Sequence, residues 1–187
     1  MSDPKIDKAK GQIKEAVGKV TGDKQLEAEG QVEQASAAVR EKAAEITADT
    51  GAEVAGFQVD VTKAASVAAL ADAVWSRFGA THLLFNNAGV GLGEAQRPMW
   101  SLPIADWHWG FDVNVFGVVH GIQAFAPRML ASGEEGVIVN TSSGNGGLRS
   151  LPSTPIYASS KAAVTSISEV LHQQLLREGD RVRAAVL

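Results

Sequence analysis

Cysteine is absent from the 187 residues, which excludes disulfides, thiolate metal ligands and cysteine nucleophiles. No apolar run approaches the roughly 18 residues of a membrane span. The charged N-terminus lacks the apolar stretch of a secretory signal. A cytoplasmic location with no membrane partner is expected. Four histidines, His82, His108, His120 and His172, are scattered without ligand spacing, so no metal site is expected. Positive charge is in the minority. With 17 Lys and Arg against 21 Asp and Glu, the formal net charge is −4, which argues against nucleic acid as a partner. The first 48 positions hold no aromatic residue and no proline after Pro4.

Lysine, glutamate, alanine, glutamine and glycine dominate that segment instead. Ile6, Ile13, Val17 and Val20 recur at helical spacing, with Ala9 and Ala16 between them. Thr21-Gly22-Asp23 reads as a stop and a restart, glycine at a helix end and aspartate as an N-cap. A second helical stretch runs from about Lys24 towards Ile46. Its apolar face is mostly alanine, with Leu26, Val32 and Val39 as larger members. Such a face buries little area, and burial is worth only about 25 cal/mol per Å². Residues 1–48 are therefore expected to be a marginal helical hairpin or a partly disordered tail. The run Lys8 to Asp23, which ends in Val17-Gly-Lys-Val-Thr-Gly-Asp23, and the following Leu26 to Gly30 resemble the CsbD-like family of small bacterial stress-response proteins. That resemblance implies no catalytic chemistry.

From about Gly51 strands and helices alternate, which implies parallel pairing with right-handed crossovers and a second domain over 49–187. The pattern predicts strands at Glu53–Val61, His82–Asn86, Val137–Asn140 and Arg181–Leu187. It predicts helices at Lys63–Phe78, Ile104 to about Ala131 and Ile156–Arg177. Pro127 is expected to kink or shorten the second.

Chemistry concentrates at the ends of these strands. Tyr157 and Lys161, at i and i+4, share one helix face. An ammonium that close to a phenol favours the phenolate. Ser142 and Ser143 end a strand just ahead, where a hydroxyl could hold a carbonyl oxygen. Asn86-Asn87-Ala88-Gly89 ends another strand, the place where open parallel sheets bind ligands. The same residues could simply cap the strand. Asp60-Val61 could meet an adenine amino group, or Asp60 could cap the next helix, which is the better reading of that residue alone. Asn114 sits in a helical stretch as a poor helix former. It could hold a water, or be a satisfied polar residue bonding the backbone. Trp100, Trp107 and Trp109 could line an apolar pocket, with core packing expected for at least two of them.

Taken together, Asp60-Val61, Asn86-Asn-Ala-Gly89, Asn114, Ser143 and Tyr157-x-x-x-Lys161 resemble the classical short-chain dehydrogenases/reductases, in that family's order, over about residues 50–187. Ser143 is matched to the family's serine because that serine ends the strand motif; Ser142 is the alternative. The resemblance implies a Rossmann-like doubly wound parallel sheet, NAD or NADP as cofactor, and a small-molecule alcohol or carbonyl substrate. It implies Tyr157 as acid/base, Lys161 as its activator and ribose ligand, Ser143 as carbonyl polariser and Asn114 as anchor of a relay water. Asp60, Val61, Asn87, Ala88 and Gly89, with Tyr157 and Lys161, would contact the cofactor. Family members commonly form dimers or tetramers, so a homo-oligomer is implied.

Against that pattern, residues 49–187 read as truncated at both ends. No Thr-Gly-x-x-x-Gly-x-Gly turn stands before Asp60, and Leu187 falls inside a strand. Two strands that the family inserts between those at 53–61 and 82–86 have no counterpart. Their loss would open roughly 14 Å, three ladder spacings. The expected fold class is thus α/β, an incomplete Rossmann-like sheet preceded by an alanine- and charge-rich helical segment. The expected function is an NAD(P)-dependent oxidoreductase impaired in cofactor binding. The alternative is a catalytically inactive fusion or fragment.

Overall fold

The computed structural model describes residues 4–92, 97–147, 149–179 and 181–187; residues 1–3 of the expected helical segment lie outside them. The chain divides into two compact units, Met1–Gln58 and Val59–Leu187.

The first unit is a helical hairpin of α1 (Pro4–Thr21) and α2 (Lys24–Thr50). Its turn works as its residues predict. Gly22 takes φ 74°, and the Asp23 carboxylate accepts the N–H groups of Gln25 and Leu26, each at 3.0 Å. The packed face is not the expected one. A Cβ on Gly11 would lie 2.7 Å from the Gly30 carbonyl oxygen, and one on Gly18 would strike the backbone of Glu27. Ala37 is buried in the same line. Three polar pairs cross the seam: Arg40 donates to Asp7 at 2.7 Å, Gln34 donates to Glu15 at 2.6 Å, and the Lys14 ammonium lies 3.1 Å from the Glu33 carboxylate. Ile6, Ile13, Val17 and Val20 are exposed, Val20 to 88%. The helical period is therefore as predicted and the buried face is not. The backbones approach closely where side chains are absent, and glycine's position decides which face turns inward.

The second unit runs α3 (Ala64–Phe78), β1 (Leu83–Asn86), a 3-10 turn (Met99–Ser101), α4 (Ile104–Phe111), a π-helical turn (Asp112–Phe116) and α5 (Gly117–Ser132). It continues through β2 (Gly136–Asn140), α6 (Gly144–Gly147), α7 (Pro155–Glu178) and β3 (Val182–Val186). The strands lie in the order β1-β2-β3, all parallel, with Leu83 opposite Val137 and Val137 opposite Arg183. This is the α/β, Rossmann-like arrangement expected, as a partial sheet. One face packs on α5 and α7 through Ile138, Val182, Phe125, Met129 and Leu171. Leu83 and Phe85, on edge strand β1, are more than half exposed.

Three expectations need correction. Residues 53–61 form no strand, because among the described residues no neighbouring strand offers them ladder partners. The helix predicted from Ile104 is three pieces, with a π-helical turn at Asp112–Phe116 around Asn114. It also continues through Pro127 to Ser132, held by buried Phe125, Ala126 and Met129. Trp100 is 91% exposed and Trp109 half exposed, so core packing of at least two tryptophans is not observed.

Gly18→Leu should break the hairpin selectively. Overpacking typically costs about 1–3 kcal/mol, and here the added atoms meet backbone rather than a movable side chain. Hydrogen exchange should show α1 amides losing protection while those of β2 keep theirs.

Candidate active site

The sheet's carboxyl edge is assembled by hydrogen bonds between loops. Asn86, the last residue of β1, donates to the Asn140 carboxamide oxygen at 2.8 Å. Asn140 donates in turn to Ser168 of α7 at 2.9 Å. Asn86 is therefore a structural tie, and Asn87 is the exposed asparagine. Asn87 accepts the Thr141 hydroxyl at 2.9 Å, joining the loops that leave β1 and β2.

Asn114 is fully buried in its π-helical turn. Its carboxamide oxygen accepts the Val90 N–H at 2.7 Å. Its amide group donates to the Val90 carbonyl at 3.1 Å and to the Ser160 hydroxyl at 3.0 Å. Both ends of the side chain are engaged, so Asn114 clamps the loop after β1 against α7. Such π-turns recur at functional sites. Here the turn aims one polar side chain into an otherwise helical interface.

Lys161 is 4% exposed. Its ammonium donates to the Thr141 carbonyl at 2.7 Å and lies 5.8 Å from the centroid of the Tyr157 ring. Burial pushes it below the ordinary lysine value of 10.5. Gly89 closes the same space. A Cβ there would come within 3.4 Å of both the Asn114 carboxamide oxygen and the Lys161 ammonium. The two candidate serines separate clearly. Ser142 is buried, donating to the Lys161 carbonyl at 2.8 Å and sharing a 2.7 Å bond with Thr165. Ser143 is half-buried and accepts the Asn145 N–H at 3.2 Å. Asn145 donates to Thr154 at 2.7 Å, fixing the Ser143 turn to the start of α7.

The structure thus brings Gly89, Asn114, Tyr157 and Lys161 into one cluster, with Asn87 joined through Thr141. Val61, Asn87 and Ala88 line a cavity of about 200 Å³ with Leu84 and Val118. Asp60 is not among its lining residues. Its carboxylate accepts the Thr62 hydroxyl at 2.7 Å and the Thr62 N–H at 3.0 Å, which hold it below the usual carboxylate range. A larger cavity, of about 710 Å³, lies between α7 and β3 around His172 and Arg177. It lies along α7 from Tyr157 and holds none of the candidate groups. Thr141, Val90 and Ser160 complete the cluster and went unnoticed in the sequence. Two of them act through main-chain carbonyls, which no sequence pattern displays.

The short chain dehydrogenase family profile matches residues 14–187. This chain belongs to the short chain dehydrogenase family. It is 38% identical over 145 residues to the 1-deoxy-11-beta-hydroxypentalenate dehydrogenase of Streptomyces avermitilis, covering 78% of this chain and 52% of that protein. It resembles a short-chain dehydrogenase/reductase from Burkholderia phymatum, solved with NAD, at 46% identity and TM-score 0.74, over 80% of this chain and 51% of that one. A metagenomic short-chain oxidoreductase solved with NADP superposes with TM-score 0.70 at 28% identity, over 79% of this chain and 63% of that one. The chain spans about half the length of the curated relatives it matches.

Two outcomes follow from the cluster. Asn114→Ala should destabilise the second unit by about 2–3 kcal/mol in urea unfolding, since it strands buried partners that cost about 1–3 kcal/mol each. Lys161 supplies a pH signature. Its folded-state value is depressed, so the unfolded chain binds more protons between that value and 10.5, and stability rises with pH across the window. The stability of the wild type relative to Lys161→Met should therefore shift in the wild type's favour as pH rises from neutral towards 10.5.

Proposed function

We propose that residues 59–187 carry the proton-transfer half of an NAD(P)-dependent short-chain oxidoreductase acting on an alcohol or carbonyl group. The observation that carries this reading is the buried Lys161 ammonium, 5.8 Å from the Tyr157 ring centroid, at the carboxyl edge of a parallel sheet. In the reductive direction the Tyr157 phenol gives its proton to the substrate oxygen. The Lys161 charge stabilises the negative charge left on the phenol oxygen. Ser143, rather than the engaged Ser142, donates to the substrate carbonyl. Asn114 acts as a positioning residue, and its turn would anchor a relay water towards Lys161. The relative named for a hydroxylated pentalenate supports the alcohol/carbonyl class.

The residues present fit part of the cofactor. Gly89 leaves open the space beside Lys161 that a Cβ would fill, which suits a ribose hydroxyl. Val61, Asn87 and Ala88 line an apolar cavity suited to a base. A bound nicotinamide would supply or accept the hydride at the substrate carbon. The fit is weakest at the pyrophosphate. No Gly-rich turn stands in residues 1–59, and about 200 Å³ falls below the roughly 300–1,000 Å³ of small-molecule sites. That observation favours a second reading, a chain with little or no turnover. We also assign residues 1–48 to a CsbD-like segment with no part in the chemistry, on the strength of the Val17–Asp23 run.

Charge-assisted hydrogen bonds contribute roughly 1.5–3 kcal/mol, so losing two weakens binding about a hundredfold or more. Calorimetric titration with NADH and NADPH should give affinities weaker than micromolar. Micromolar binding abolished by Lys161→Ala would refute the impairment. Any hydride transfer at saturating cofactor should vanish in Tyr157→Phe and fall in Ser143→Ala. Turnover that survives Tyr157→Phe would remove the tyrosine from its role.

A further inference from the structure

The helical hairpin is inside out for a lone pair of helices. Its interior is glycine, alanine and polar pairs, while its branched apolar residues face water. On α1 the exposed members Ile6, Ile13 and Val20 repeat every seven residues; on α2 Val32, Val39 and Ile46 do the same. A seven-residue apolar repeat is a seam for another helix. Both seams extend over 14 residue steps, about 21 Å at 1.5 Å per residue, so their lengths match. Their charges differ in sign. Helix α1 carries five lysines against two carboxylates, and α2 carries six carboxylates against three basic side chains.

We propose that the hairpin is a self-association element, in which the α1 seam of one copy packs on the α2 seam of a second copy. This goes beyond the dehydrogenase reading and does not depend on it. Charge selects the pairing, because α1 on α1 would oppose lysines and α2 on α2 would oppose carboxylates. Position sets the geometry. Ile13 and Val20 stand two residues past Gly11 and Gly18, as Val32 and Val39 stand two past Gly30 and Ala37. Two residues turn a helix by about 200°, so each seam points nearly opposite the line where the hairpin's own helices touch. The seams therefore face away from one another. The contact is head-to-tail, and each added copy leaves one seam of each kind open. Gly56 already lies against Val39, yet that side chain stays half exposed.

Sedimentation velocity on the full chain provides the test. The wild type should grow past a dimer with rising concentration, and added salt should weaken the growth. Ile13→Asp and Val39→Asp should each weaken association at least tenfold, with helicity retained by circular dichroism. Their mixture should form a dimer that grows no further, because one variant keeps an intact α2 seam and the other an intact α1 seam. If either substitution unfolds the hairpin, cysteine placement decides. In this cysteine-free chain, Ile13→Cys mixed with Val39→Cys should cross-link faster than Ile13→Cys mixed with Glu41→Cys, which lies off the seam. Association indifferent to both aspartates, or equal cross-linking in the two mixtures, overturns the proposal. So does a monomer that pellets with phosphatidylglycerol vesicles through Ile13, which would make α1 a membrane-surface helix.

Discussion

The second unit is organised around a buried ammonium. Lys161 is nearly inaccessible, and its ammonium donates to the Thr141 carbonyl at 2.7 Å. A buried charge is tolerated only when polar groups replace water around it. Here that requirement fixes the register between helix and sheet. Lys161 must stand where β2 ends, so α7 must enter with Tyr157 one turn earlier. Thr141 in turn bonds Asn87, which positions the loop after β1. Asn114 fastens the same loop from the other side through Val90. Moving Lys161 or Asn114 would leave a buried polar group unmatched.

The sheet beneath that cluster is covered unevenly. Parallel strands are ordinarily buried on both faces. Here α5 and α7 cover one face, while Leu83 and Phe85 of the edge strand remain open. The candidate site residues lie on α7, the π-turn and the loops from β1 and β2.

The hairpin follows another logic. Its backbones approach at Gly11, Gly18 and Gly30, where a methyl group would collide with the facing chain. Close approach draws the Asp7–Arg40 and Glu15–Gln34 pairs inward and turns the isoleucines and valines outward. Such a pair gains less from apolar burial than its composition allows. That unspent surface is what makes a partner helix physically attractive.

Local chemistry was sufficient to place much of this in the sequence. Asp23 and Gly22 act through their own backbone, so the hairpin turn was legible. The i, i+4 spacing of Tyr157 and Lys161 on one helix face needs no tertiary information. The alternation of apolar strands and amphipathic helices led to the α/β class. What only the tertiary structure decided depends on partners distant in the chain. Residues 53–61 look like a strand, yet a strand exists only where a neighbour completes its ladder. Ser142 and Ser143 are alike as residues, and Lys161 and Thr165 on α7 separate them by engaging one. Asn114 became a clamp because Val90 and Ser160 arrive from other elements. The buried face of α1 was set by glycines on a second helix, since side-chain periodicity reports that a face exists but not which backbone can come close enough to cover it.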